Sequence, residues 1–381
     1  MRFNLATLVN SDRHSSRRSI VILILLWSLV QFLLFLKFGI QTQLESQKYI
    51  HAAQYLQEHG RLPETRYLFY SGIIGLIYLS NLVHGGWITV VLVQLFISLV
   101  AHIAFYKALA RVSTKNSIAP LIATAILCVF YPFQQWNLAL YSESLFYSSI
   151  LLFFSACMAF RILPQAIFLI AVILCRPLGI LFLPSWMLLV FLRSSKKVRF
   201  ALSIVIIGGL ALFAIISNTV LSTISDWEVL RPAQQGYIIC DMPTGDSLTL
   251  DPAWKSQSPI RQLSSYIIGH PGHFIGLSLK KLEAFFLLHR SYYSSIHNLF
   301  LLLFCIILYL PLFIYKSRRE KEILQLRIFG ISLILVFAVA ICLQCDDYHS
   351  RFINAIIPFI IFLGCFKFVD GWASSGKKRP E

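Results

Sequence analysis

The run Tyr67-Leu68-Phe69-Tyr70-Ser71-Gly72-Ile73-Ile74-Gly75-Leu76-Ile77-Tyr78-Leu79-Ser80-Asn81-Leu82-Val83, closed by His84-Gly85-Gly86, decides how every later segment is oriented. It is apolar enough to be taken for a membrane span. If it crosses, each later loop changes sides; if it lies along the outer interface or is re-entrant, none does. The positive-inside rule separates the two cases. With 67–83 kept outside, Arg2, Arg13, Arg17 and Arg18 face the cytoplasm, as do the basic loops 193–199 and 316–321 and the terminal Lys377, Lys378 and Arg379. The formal excess of +16 then falls wholly on the cytoplasmic side and the outer face balances. If 67–83 crosses, both basic loops turn outward and the bias collapses. The sequence therefore predicts about ten transmembrane helices with both termini cytoplasmic.

Composition sets the class. The chain has 381 residues, of which 57% are hydrophobic and 13% charged, with a mean hydropathy of +0.72. Soluble domains carry about 25% charged residues, so this is an all-α polytopic integral membrane protein. The 33 Lys and Arg against 17 Asp and Glu would suggest nucleic acid on a soluble chain; here they orient the helices, and no nucleic-acid partner is implied. Spans need about 20 apolar residues. Candidates are 19–38, 87–110, 118–133, 145–160, 200–221, 299–315, 328–345 and 352–369, with two shorter runs, 162–175 and 178–192, meeting at Arg176-Pro177. The first, 19–38, reads as an uncleaved signal anchor in a plasma or inner membrane. The domains expected are a cytoplasmic tail 1–18, the first span 19–38, a first outer loop 39–86, a bundle 87–221, a large outer loop 222–298, terminal spans 299–369 and a tail 370–381. Of eight cysteines, Cys128, Cys157, Cys175, Cys305, Cys342 and Cys365 lie in apolar runs and only Cys240 sits clearly in a polar loop, so no disulfide framework is expected.

Ionisable groups at membrane depth or at a helix mouth are costly, and each is a site candidate. Glu45, Glu143, Arg176 and Arg351 qualify, with Asp346 and Asp347 beside the last, and all fall on the outer side of the predicted topology. Glu45 opens a stretch whose residues 49, 52, 53 and 56 follow helical spacing, an amphipathic helix lying on the membrane. There it is either a dipole-favoured first-turn acid or a reactive carboxylate. Glu143 heads an almost purely apolar helix and needs a partner or a role. Arg176 joins two runs that cover only about 21–23 Å each, so it is recessed in a cavity; its planar donor fork suits a phosphate, and pairing with Glu143 is compatible with that. Arg351 is either held by Asp346 or Asp347 or itself faces a phosphate. Lys48, Tyr49 and Tyr141 are supporting candidates. Cys342-Leu343-Gln344-Cys345 with His349 invites a zinc reading but lacks the second half of a structural site. No metal site and no required cofactor are predicted, a divalent metal not being indicated. A second interfacial helix is expected over 270–286, with Ile275, Leu279, Leu282, Phe285 and Phe286 on its apolar face and Lys280 and Lys281 toward lipid headgroups.

The order of these pieces resembles the GT-C superfamily of polyprenyl-phosphate-sugar-dependent glycosyltransferases, near the protein-mannosyltransferase and lipid A aminoarabinose transferase branch. The resemblance rests on Glu45, Tyr49, Ala53, Leu56 and Gly60, the run from Tyr67, the Pro132 to Glu143 segment, Arg176-Pro177-Leu178-Gly179, His270-Pro271 with the Lys-Leu-x-x-Phe-Phe tail, and Arg351, Phe352 and Pro358. Each motif is short; their order over most of the chain carries the likeness. It implies juxtamembrane helices between the first two spans, a catalytic base at Glu45, a matching acid at Glu143, and phosphate-binding cations at Arg176 and Arg351. The family more often has Asp at the first position, often with a second acid beside it; here Ser46 follows. It further implies transfer of a single sugar from a polyprenyl-phosphate donor to a lipid, glycan or protein acceptor among membrane lipids, with inversion. The Trp-Trp-Asp-Tyr-Gly signature of en bloc glycan transfer is absent. Two rivals are a lipid-linked glycan polymerase or ligase, which needs no first-loop acid, and a non-catalytic glycolipid flippase, which would spread charges over both leaflets. An acyltransferase would want a His-centred site, and His51, His84 and His102 show no paired spacing.

Overall fold

The structure is a computed structural model that describes residues 13–113, 117–201, 203, 230–242, 247–249, 257–290, 292–314, 321–347 and 349–365. Among them the secondary structure is helical, with only isolated bridges joining Gln41 to Ala139 and Ile239 to Met242 and Asp346. In chain order the helices are α1 (Arg13–Phe38), α2 (Glu45–His59), α3 (Ser71–Leu82), α4 (Gly86–Val112), α5 (Ala119–Val129), α6 (Ser142–Met158), α7 (Ile162–Cys175), α8 (Phe182–Arg193), α9 (Pro259–Gly269), α10 (Pro271–Leu287), α11 (Ser295–Ile314) and α12 (Lys321–Leu343). Among the described residues, four segments are long and apolar enough to cross a membrane: Arg17–Phe38, Gly86–Val112, Ser295–Phe313 and Ile323–Leu343. The chain divides into two compact units, one of residues 1–183, 308–326 and 357–381, the other of 184–307 and 327–356.

In the first unit the deciding run 67–83 becomes a 3-10 turn, Thr65–Tyr70, followed by the 12 residues of α3. At 1.5 Å per residue α3 is about 18 Å long, well short of a hydrocarbon core of about 30 Å. A left-handed His84 (φ 55) and Gly86 (φ 63) then turn the chain into α4. That turn is tied by Ser80 Oγ, which donates to the Gly86 carbonyl at 2.7 Å. Ahead of it, α2 buries Ser46, Tyr49, Ile50, Ala52 and Ala53 on one face, as its spacing predicts. Gly60 ends it in the left-handed conformation (φ 65), with its N–H donating to Leu56 O at 2.9 Å.

The core of this unit is α6, buried along nearly its whole length, with Phe154 edge-on to Phe359 and Phe362 at 5.4 and 5.1 Å. By contrast α1 buries Leu23, Trp27 and Leu34 and leaves Val21, Leu25, Leu29, Phe32 and Leu36 exposed. That pattern places an apolar helix against lipid on most of its circumference, where packing and not burial from water holds it.

Two expected spans are interrupted. The run 118–133 stops at Val129, because Phe130 is extended and Pro132 follows; only the 4-residue turn Tyr131–Gln134 continues it. The run 352–369 begins as Arg351–Asn354, breaks at 355–356 ahead of Pro358, and is helical again over 357–365. The run 162–175 is α7 itself, while 178–192 divides into a 3-10 turn, Pro177–Leu181, and α8. Of 200–221 only 200, 201 and 203 are described, and the tails 1–12 and 370–381 lie outside the described residues.

In the second unit a cluster of Leu230, Ala233 and Tyr266 packs with Leu248, Leu263, Ile267 and Phe274. The expected headgroup contact of Lys281 on α10 is corrected here. Leu277, Ser278, Lys281 and Phe285 are buried, while Ile275 and Leu279 are exposed. Lys281 therefore does not meet headgroups: its Nζ donates to Cys342 O at 3.3 Å, and burial pushes its ammonium down to about 8. One disulfide that the sequence reading did not anticipate joins Cys240 to Cys345.

Candidate active site

The first outer loop and the segment before α6 are sewn together, and this places Glu45. Gln41 N–H donates to Leu138 O at 2.9 Å and Leu140 N–H to Gln41 O at 3.0 Å. Tyr141 Oη donates to Gln43 O at 3.3 Å and its ring stacks on Trp136 at 5.6 Å. The supporting residue Tyr141 thus acts as a tether for the loop. Leu44, just before the helix, sits at φ 56, a conformation that side-chain-bearing residues avoid. Glu45 then opens α2 half-buried, and Tyr49, one turn on, donates from its phenol to Glu45 Oε1 at 3.2 Å. Both sequence readings of Glu45, first-turn acid and reactive carboxylate, are compatible with this position.

Behind Glu45 lies a buried pair. Glu143, in the first turn of α6, is fully enclosed; Ser142 Oγ donates to its Oε2 at 3.3 Å. The guanidinium of Arg176 donates from Nη1 to Glu143 Oε1 and closes a salt bridge. Arg176 reaches it because the residue before a proline is driven out of helical conformation: α7 ends at Cys175, and Arg176 is extended at φ −157, ψ 147. The tight turn that follows needs Gly179, where a Cβ would lie 2.4 Å from the backbone oxygen of Val172. Tyr49 connects the pair to Glu45. Its ring lies 5.3 Å from that of Tyr70. Its ionisation is pushed far up, first by burial, then by the carboxylates of Glu143 and Glu45 and by Tyr70, against the opposing pull of Arg176. Glu45, Tyr49, Tyr70, Glu143 and Arg176 therefore share one electrostatic environment in one unit. It offers a half-exposed carboxylate held by a phenol, backed by a buried acid and a cation.

The remaining candidates stand elsewhere. Lys48 is exposed on α2, away from the buried face that carries Tyr49, so it does not support this cluster. Arg351, Asp346 and Asp347 belong to the second unit. There Arg351 Nε lies 3.6 Å from Asp347 Oδ1, which resolves its choice of acid. Asp346 is taken by Arg290, a residue that the sequence reading missed. Arg290 also donates to Ala284 O and His289 O and is clasped by Asn298, whose Nδ2 donates to Arg290 O at 2.8 Å. Burial pushes Asp346 up to about 6 while Arg290 draws it back. Asp346 is thus a structural anchor within that unit. Cys345 being in a disulfide, it is no thiolate ligand, and among the described residues no group of three or more His, Cys, Asp or Glu could hold a metal ion.

A buried polar chain behind Glu143 also escaped the sequence reading. Gln31 Nε2 donates to Gln134 Oε1 at 2.9 Å, Gln134 Nε2 meets His102 Nε2 at 2.8 Å, Asn137 Nδ2 donates to Gln134 Oε1 at 3.2 Å, and Ser144 Oγ donates to Asn137 Oδ1 at 2.7 Å. Amides inside an apolar bundle were the available signal, because each demands a partner there. No protein-family model, no curated protein and no solved structure matches this chain.

Proposed function

We propose that the chain is a membrane glycosyltransferase that moves a single sugar from a polyprenyl-phosphate donor to a hydroxyl acceptor on the outer face of the membrane. The observation that carries this reading is the gathering of Glu45, Tyr49, Glu143 and Arg176 into one electrostatic environment. Glu45, the half-exposed member, takes the acceptor hydroxyl proton as that oxygen attacks the anomeric carbon, giving inversion. Tyr49 holds the carboxylate in place. Arg176 stabilises charge on the departing lipid phosphate. A guanidinium carries five donors in a planar fork, so anchoring at Glu143 through Nη1 is compatible with meeting a phosphate. Arg351 belongs to the other unit, and its phosphate-binding role stays in this proposal on its sequence position alone.

The topology belongs to the same proposal: about ten crossings, α2 and α3 on the outer surface, and both termini cytoplasmic. Support comes from the charge bias and from the Cys240–Cys345 bond, since disulfides persist in oxidising compartments; in this topology Cys240 lies in the outer loop 222–298 and Cys345 at the outer end of span 328–345. The deciding experiment is turnover of purified protein against a panel of polyprenyl-phosphate sugars, with Glu45→Gln beside the wild type. Loss of transfer with donor binding intact supports the base; near-normal turnover of Glu45→Gln rejects it and favours a polymerase or ligase, and a wild type that transfers no sugar favours a flippase.

A further inference from the structure

The proposed transfer leaves the C-x-x-C sequence Cys342-Leu343-Gln344-Cys345 unused. Cys345 is bonded to Cys240 with Cα atoms 5.2 Å apart, while Cys342 keeps a free thiol and is partly exposed. Cys342 stands in the last turn of α12, and helical bonding runs on past it, for Gln344 N–H donates to Ala340 O at 3.0 Å. Cys345 lies just beyond the end of α12 at Leu343, three positions from Cys342. Of the free cysteines among the described residues, Cys342 is the nearest in the chain to the disulfide. From α10, Lys281 adds a buried cation: its Nζ donates to Cys342 O at 3.3 Å, and its charge interacts with the Cys342 side chain.

We propose that Cys342, Cys345 and Cys240 form an intramolecular thiol–disulfide exchange site, in which Cys342 displaces Cys240 from Cys345. The Cys342 thiolate attacks Cys345 Sγ; the 342–345 bond forms as the 240–345 bond breaks, and the electron pair leaves on Cys240 Sγ, which takes up a proton from water. The proton lost by Cys342 passes to water, so the step is redox-neutral and needs no oxidant. Its effect falls on the segment around Cys240. That segment is tied to the end of α12 by the disulfide and by two backbone bonds, Cys240 N–H to Asp346 O and Asp346 N–H to Ile238 O, each 2.9 Å. Exchange removes the covalent tie and leaves the two hydrogen bonds. The site stands independently of the glycosyl-transfer reading.

The test uses the full chain in detergent micelles, equilibrated in a glutathione buffer, acid-quenched, alkylated with N-ethylmaleimide and digested for mass spectrometry. The wild type is expected to contain both a 240–345 and a 342–345 linked peptide. Cys240→Ser should carry the 342–345 bond on most of its Cys345, and Cys342→Ser should hold the 240–345 bond alone. A wild type in which Cys342 is always alkylated and Cys345 is linked only to Cys240, or to nothing, overturns the proposal. That arm decides the matter even if Cys240→Ser fails to fold.

Discussion

Arg176 leaves the end of α7 to form a buried ion pair with Glu143 at the start of α6, with side chains 9% and 0% exposed. Two charges withdrawn from water depend on each other, and removing one strands the other at a cost of about 3–5 kcal/mol. Glu143→Gln alone should therefore lower the thermal midpoint of the purified protein sharply. The double change Glu143→Met with Arg176→Leu should recover much of that loss, because apolar residues of similar volume replace a buried pair with little penalty. If the double variant unfolds as easily as the single one, the pair is held by something other than mutual neutralisation.

Tyr49 is expected to remain a phenol far beyond the usual range. Burial and two carboxylates favour its neutral form, so the folded protein keeps that proton where an unfolded chain, at about 10, gives it up. The sign follows from linkage. The contribution is fully present below about pH 10 and is lost as pH rises toward the folded value. An ultraviolet titration of wild type against Tyr49→Phe should show this phenol ionising only with unfolding; a normal titration near 10 would place Tyr49 in water. In the proposed reaction the same variant should cut turnover by about tenfold, the scale of one charge-assisted hydrogen bond of about 1.5 kcal/mol.

Much of this unit was legible in the sequence for definite reasons. The spacing of Tyr49, Ala52, Ala53 and Leu56 marks a helix with one buried face, and that helix is present. Pro177 sets the end of α7 through its effect on Arg176. The cost of charge in an apolar run singled out Glu143 and Arg176 and left their pairing as one of the alternatives. What stayed hidden was of one kind. Partners far apart in the chain leave no periodic trace: Arg290 with Asp346, and Cys240 with Cys345 at a separation of 105. The enclosure of Lys281 on α10 gave no sign either, because the carbonyl that it meets, Cys342 O, lies 61 residues on.

Asp346 makes the second unit sensitive to rising pH. Its folded value, raised to about 6, lies above the ordinary carboxylate value of about 3.9, so the folded state binds the proton more tightly. Stability from this group is therefore fully present below about 3.9 and lost as pH rises through about 6. Thermal midpoints measured between pH 4 and 7 should fall with rising pH more steeply in wild type than in Asp346→Asn. Equal slopes would mean that Arg290 fully cancels the effect of burial.

Gly179 offers a test of the site that leaves every ionisable group in place. A methyl group there would meet Val172 O at 2.4 Å and the Cα of Ile173 at 2.7 Å. Both are backbone atoms of α7, which cannot swing aside as a side chain would. The turn would have to open, and Arg176, whose own carbonyl accepts from Gly179 N–H at 2.9 Å, would shift with it. Because a buried ion pair depends on close geometry, Gly179→Ala should lower the thermal midpoint and, in the proposed reaction, reduce turnover without altering any charged residue. The same change at Gly75 on α3, where a Cβ meets nothing within 4 Å, serves as the control and should leave both quantities near wild type. If Gly179→Ala is as mild as Gly75→Ala, the turn does not hold Arg176 in place, and the position of the guanidinium must come from Glu143 alone.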